Sequence, residues 1–296
     1  MDRRIIFHME DRGHHYIYHW FMYMVAGLRH IKRGLPTKGS DGGGSFERNS
    51  DLFDGASSIA PYNVLFMQSK LDYQVQTCDL LKGEFLFLEE PDITDEDIIV
   101  NNYGEAIHPF EGDHVHNGYV NSLGDPNSST PSREAYLFLR ELRKNVQITE
   151  SDISKFKGKK FFLSRNRSHI LPGNKGIKRR HIMNENGMVH EMNNAGIEII
   201  HLEDYSIMDK IKLFQLSDTI ISPNSGALVF CVFANTSTKI MELNVPNPSQ
   251  VSHQYRDICD SLGIPYNKFI CNSVDMNDNM EVNVNALISE LKYLKS

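Results

Sequence analysis

The sequence predicts an α/β protein of two domains, each a parallel β-sheet with helices between its strands. Three observations predict it. Short apolar runs bounded by turn residues alternate with longer segments of helical periodicity. The alternation runs twice, on either side of a turn-rich stretch and an amphipathic helix. The chain has 296 residues, long for one core and suited to two domains of about 150 residues each.

The elements follow in order. IIFHM at 5–9 is a short apolar run fit for a buried strand. HHYIYHWFMYMVAGLRHI (14–31) has apolar residues at helical spacing, and Gly34 and Pro36 mark its end. PTKGSDGGGSFERNSD (36–51) is Gly/Ser-rich and polar, a surface loop. NVLFMQ is a strand, Asp72 lies in the loop after it, and a helix runs around Tyr73 to Leu81. GEFLFLE and DIIVNN are strands, and 108–131 is turn-rich and irregular. SREAYLFLRELRKN (132–145) is an amphipathic helix with Ser132 as its cap. The boundary is placed just after it, giving domains 1–146 and 147–296.

The second half repeats the pattern. KKFFLS is a strand, Asn184 to Ala195 a helix stopped by Gly196, and IEIIHL a strand. SIMDKIKLFQLSD is a helix capped by Ser206, TIISP a strand and SGALVFCVF a helix. KIMEL is a strand and VNALISELKYLKS a helix. Two such halves facing a cleft would line it with the carboxyl ends of their strands, where open α/β sheets bind ligands.

Charge narrows the function. The chain carries 31 Lys and Arg against 38 Asp and Glu, a net charge of −7. That excludes the broad basic face of a nucleic-acid binder. Yet FLSRNRSHILPGNKGIKRRHIMNE, Phe162 to Glu185, is densely basic. A local basic cluster on an acidic chain points to a small anionic ligand. No apolar run reaches the roughly 20 residues that span a bilayer, and the first residues lack a leader-type apolar core. The expectation is a cytoplasmic protein with no membrane span. Cys78, Cys231, Cys259 and Cys271 show no CxxC spacing and are read as free thiols.

The strand ends carry the chemistry. Ser164-Arg165-Asn166-Arg167 follows one strand, and Pro223-Asn224-Ser225-Gly226-Ala227 follows another and opens a helix. A helix N-terminus offers free N–H groups, and small residues there let a phosphate approach the backbone. An arginine at the neighbouring strand end can hold the same phosphates bidentately. Together these make a diphosphate site. His15 and His19 have a zinc-compatible i,i+4 spacing, and Asp95-Glu96-Asp97 is an acidic triplet. Neither they nor His114-x-His116 finds a convincing ligand set, so no metal is expected. Trp20 is read as core rather than as a sugar-stacking platform.

FLSR, RHIMNE, SPNSGALV and KIMEL, in this order across about 161–243, resemble the signature of glycosyltransferase family 61. The resemblance implies a GT-B type fold: two Rossmann-like domains facing a cleft, with the C-terminal helix packing back toward the N-terminal domain. It also implies a UDP-sugar donor, a glycan or glycoprotein acceptor, an inverting mechanism and no metal or other cofactor. The family's strand-end arginine falls on Arg165, preceded by Ser164. The arginine of its Arg-x-x-x-Asn-Glu element falls on Arg180, with Asn184 and Glu185 following. Its Gly-Ala loop falls on Gly226 and Ala227, after Asn224; its usual histidine is Ser225 here. Glu203 and Ser206 lie where such folds hold the nucleoside. Tyr18-His19-Trp20 fits an aromatic-His-Trp segment, but Tyr23 stands where the family has an acid. The resemblance is to a compact member, with a viral source one reading of its lack of an anchor.

Inverting transfer needs a base for the acceptor hydroxyl and positive charge for the departing diphosphate. Arg165, Arg180 and the Gly226 turn would supply the charge. His19 is the first candidate base, since unperturbed histidine titrates near pH 6.5; Asp72 is the rival. The family's plant β-1,2-xylosyltransferases make xylose the first sugar expected, and its N-acetylglucosaminyltransferases make N-acetylglucosamine the second. The alternative is a catalytically inactive nucleotide-sugar or glycan-binding relative, which the departures at Tyr23 and Ser225 keep open.

Overall fold

Each half of the chain winds its own five-stranded sheet. The computed structural model describes residues 5–9, 17, 20–25, 28, 62–66, 71–82, 85–88, 98–100, 106–107, 133–167, 179–246 and 253–293. The chain divides into two units, Met1–Asn145 and Val146–Ser296.

In the first unit the strands are β1 (Ile5–Met9), β2 (Tyr62–Phe66), β3 (Phe85–Leu88), β4 (Ile98–Val100) and β5 (Ala106–Ile107). Their order is β3-β2-β1-β4-β5. The first four run parallel, and β5 closes the edge antiparallel to β4. The run β3-β2-β1 has the strand order of one mononucleotide-binding half, and the order reverses between β1 and β4. A π-helical turn, Trp20–Val25, stands in the expected first helix; the flanking positions lie outside the described residues, His19 among them. Trp20 is buried and meets Tyr73 edge to face, 6.4 Å between ring centres, which agrees with a core role. Helix α1 (Asp72–Leu81) begins one residue earlier than the sequence suggests. Leu71 is extended and its N–H donates to the Gln74 side chain at 3.0 Å, so the chain turns helical at Asp72. Asp72 is thus the exposed first residue of a helix, not a loop acid. Helix α2 (Arg133–Glu141) tightens into a 3₁₀ turn, Leu142–Asn145.

The second unit is the more regular. After α3 (Glu150–Phe156) come β6 (Lys160–Ser164), α4 (Glu185–Asn194), β7 (Ile197–His201), α5 (Ile207–Leu216) and β8 (Thr219–Pro223). Then follow β9 (Lys239–Asn244), α6 (Gln254–Leu262), β10 (Tyr266–Ile270), the short hairpin β11 (Asn272–Ser273) and β12 (Met280–Glu281), and α7 (Val284–Tyr293). The sheet is wholly parallel, ordered β10-β9-β8-β6-β7. Counted within the unit this is the 2-1-3-4-5 doubly wound order, which reverses between β6 and β8.

Burial explains the regularity. β8 and β9 are buried on both faces, so they read as continuous apolar runs. On one face Phe162, Ile221, Met241 and Leu243 pack with Met188 and Met192 of α4 and Leu287 of α7. The other face lies under α5, α6 and residues 226–233. The sequence predicts a helix there, and the structure has a 3₁₀ helix, Gly226–Phe233. Every side chain from Leu228 to Phe233 is buried, so packing rather than intrinsic propensity sets this conformation. Gly196 and Gly263 end α4 and α6 with φ of 70° and 66°, the left-handed conformation that suits glycine. Among the described residues, no helix is long and apolar enough to cross a membrane. All four cysteines are free thiols.

Candidate functional site

The reversal between β6 and β8 places two strand ends beside each other, and some of the predicted residues, Arg165, Arg180 and Asn224, meet there. β6 delivers Ser164 and Arg165; β8 delivers Asn224 and Ser225. Arg165 Nη1 donates to the Asn224 carbonyl at 3.4 Å. Arg180 Nη1 donates to the same carbonyl at 3.2 Å and to the Asn224 side-chain Oδ1 at 2.9 Å. Two guanidinium groups thus converge on one residue of the strand-to-helix turn. Burial, and secondarily the neighbouring Arg180, pushes the Arg165 pKa down to about 10, so the group stays charged at neutral pH. Arg165 Nε is buried without an acceptor.

Arg180 reaches this place through an unusual backbone. Its φ is 57°, the left-handed region that a side chain rarely adopts. The β11–β12 hairpin holds it there. Arg180 N–H donates to Asn277 O at 3.0 Å, and His181 N–H to Asn279 Oδ1 at 2.9 Å. Ile182 bridges to Met280, and Arg180 Nε lies 4.0 Å from Asp278 Oδ2. Asp278 itself has φ of 59°. Asp275 ties the turn by accepting from the backbone N–H groups of Asn277 and Asn279 and from Asn279 Nδ2.

The remaining predicted residues separate into groups. Ser164 Oγ donates to Glu185 Oε1 at 2.7 Å and accepts from Asn166 N–H at 3.2 Å. Burial raises the Glu185 carboxyl, against the lowering pull of Ser164 and His201. Glu185 Oε2 and His201 Nδ1 are buried without partners. Ser225 is buried, its Oγ 3.5 Å from Ser222 Oγ. Gly226 and Ala227 are partly exposed at the start of the 3₁₀ helix. Glu203 is exposed in a turn after β7.

Two residues expected to bind the nucleotide hold the protein's own backbone. Asn184 Nδ2 donates to Val282 O at 2.9 Å, and its Oδ1 accepts from Val282 N–H at 3.0 Å. Ser206 Oγ caps α5, accepting from Asp209 N–H at 3.0 Å and donating to Asp209 Oδ2 at 2.8 Å. Arg167, in the basic cluster, pairs with Asp204 at 3.0 Å on the surface, worth little in water. Residues 168–178 of that cluster lie outside the described residues, as do His15, Asp95-Glu96-Asp97 and His114-x-His116. Among the described residues no group of three His, Cys, Asp or Glu is placed to hold a metal ion.

Sequence reasoning gave Glu242 no role. This carboxylate is 1% exposed, at the end of β9. Oε1 accepts from Asn224 Nδ2 at 2.9 Å and Asn244 Nδ2 at 3.2 Å, and Lys268 Nζ lies 3.8 Å away. Oε2 accepts from the Tyr266 hydroxyl at 2.7 Å. Burial and this carboxylate push the tyrosine pKa upward, keeping it a donor. The signal was present: an acid inside the apolar run KIMEL has to be paired when buried.

The unit is of the doubly wound parallel α/β class, and its two arginines and strand-to-helix turn stand at the reversal of strand order, the place where open sheets of that class bind ligands. The particular member of that class follows from the sequence match. The chain belongs to glycosyltransferase family 61, whose model matches residues 17–241. It is a glycosyltransferase, acting between a sugar donor and a glycan acceptor. Among curated proteins none matches the sequence. Among solved structures, E. coli heptosyltransferase WaaC with ADP-2-deoxy-2-fluoro heptose is similar over 98% of this chain and 99% of that one. The identity is 10% and the TM-score 0.34.

Proposed function

We propose that the chain is an inverting, metal-independent glycosyltransferase of GT-B type. It transfers a sugar from a UDP-sugar to a hydroxyl of a glycan or glycoprotein, needing no cofactor beyond the donor. Xylose is the first sugar to test and N-acetylglucosamine the second. The observation that supports this best is the convergence of Arg165 and Arg180 on Asn224 at the strand-order reversal. A diphosphate there would meet two cations and give the buried Arg165 Nε the acceptor it lacks; a buried unpaired donor costs about 1–3 kcal/mol. The same charges would stabilise the leaving UDP as the glycosidic bond breaks. The acceptor hydroxyl needs a base, for which His19 stands first and Asp72 second. Of the other predicted residues, Glu203 is the one with an exposed side chain for the nucleoside.

The test is UDP release from a panel of UDP-sugars, with and without glycan acceptors, in EDTA and in Mn²⁺. Acceptor-dependent release from UDP-xylose in EDTA is the expected result. Release from UDP-N-acetylglucosamine alone would move the sugar to the second choice, and a strict Mn²⁺ requirement would overturn metal independence. The second reading, a non-catalytic nucleotide-sugar binder, draws on Ser225 standing where the family has histidine. UDP-sugar binding without turnover on any acceptor would favour it.

A further inference from the structure

We infer that Glu242 is a positioning residue that sets the two-arginine clamp through Asn224. The inference rests on the phosphate reading proposed above and adds a residue that touches no ligand. The sheet register brings the parts together. Lys268, Glu242 and Ser222 stand opposite one another on β10, β9 and β8 and share one face. That face is opposite to the one carrying Met241 and Leu243, so the acid lies on the side covered by the 3₁₀ helix and α6.

Asn224 has one amide group with two ends. Its Nδ2 donates to Glu242, and its Oδ1 accepts from Arg180. An acceptor at Glu242 therefore fixes which end of the amide faces the arginine. Were the amide reversed, two donors would meet at Arg180 and an oxygen would meet the carboxylate. Glu242 is itself held from three further sides, by Asn244, Tyr266 and Lys268. A carboxylate so placed is rigid, and the rigidity passes through Asn224 to the guanidinium groups. Organised in advance, the clamp pays less ordering entropy when an anion arrives.

The experiment compares binding of UDP and uridine by calorimetry, which separates the diphosphate from the nucleoside. Glu242→Leu should weaken UDP at least tenfold and leave uridine within twofold of wild type. Glu242→Gln keeps an oxygen toward Asn224 and should hold UDP within threefold. Arg165→Ala and Arg180→Ala serve as controls. If both arginine variants lose UDP while Glu242→Leu binds it like wild type, the positioning role is wrong and the phosphate site stands. Equal weakening of UDP and uridine in Glu242→Leu would mark a merely structural acid and also overturn the role. If neither arginine variant loses UDP, the phosphate site falls and takes this role with it. Should Glu242→Leu fail to fold, Tyr266→Phe removes one donor from the carboxylate and leaves its other contacts. A two- to fivefold loss of UDP with uridine unchanged supports the role, and unchanged UDP affinity overturns it.

Discussion

Arg180 Nη1 donates at once to the backbone carbonyl and the side-chain Oδ1 of Asn224, at 3.2 and 2.9 Å. The carbonyl it uses also accepts from Arg165. One asparagine thereby sets the spacing of two cations brought in by different parts of the unit.

Removal of either cation should be severe. Arg165→Ala and Arg180→Ala should each lower turnover by about 10²-fold or more, the scale for losing one preorganised donor to a developing anion. UDP affinity should fall with it. Arg165→Lys should recover little, because an ammonium cannot reproduce the planar fork of a guanidinium. Steady-state kinetics with UDP titrations would check all three.

Asn224→Ala should weaken UDP binding about tenfold. The substitution takes the side-chain acceptor Oδ1 from Arg180 Nη1 and deprives Glu242 of one donor. Losing one partner of a buried hydrogen bond costs about 1–3 kcal/mol. Thermal melting beside UDP titration would separate the cost to folding from the cost to binding.

Ser206→Ala distinguishes a cap from a nucleoside contact. As an N-cap, Ser206 should contribute about 1 kcal/mol of stability. The variant should melt several degrees lower and bind UDP with wild-type affinity. A fall in UDP and uridine affinity with no change in melting temperature would return the residue to the nucleoside.

The second unit should lose stability in acid through Asp152. Hydrogen bonds from the Thr149 hydroxyl and backbone, with Lys212 at 3.0 Å, hold its carboxyl down to about 2. The unfolded group titrates near 3.9. A depressed folded value means the stabilisation is complete above the unfolded pKa and disappears as pH falls through the folded one. Urea unfolding from pH 5 down to about pH 2 should show this loss. Thr149→Val should be less stable at pH 7 and lose less across that window.

How much of this was legible depends on how far apart the partners lie. β6, β8 and β9 were readable because each is an apolar run between turn residues, and sheet burial keeps such runs apolar. Arg165 and the Asn224 turn were readable because a strand end is a local feature. The support of Arg180 was not: His181 bonds to Asn279, 98 residues further on. No local pattern announces that pairing, nor the hairpin that makes it. Glu242 was visible as a letter in KIMEL, but its role appears only when Asn224, Asn244, Tyr266 and Lys268 are seen around it. Residues 226–233 were read as an ordinary helix because periodicity does not register burial on every side. Asn184 and Ser206 drew a ligand role from their place in the chain, while their side chains serve nearby or distant backbone.

The matched family region stops at Met241, inside β9 and before β10. A polypeptide shortened to that boundary would lose Glu242, Leu243 and Asn244 from β9 and, with β10, the neighbour of the residues that remain. Bare, flat strand margins of this kind recruit other chains. Such a truncation should therefore precipitate rather than act as a minimal enzyme.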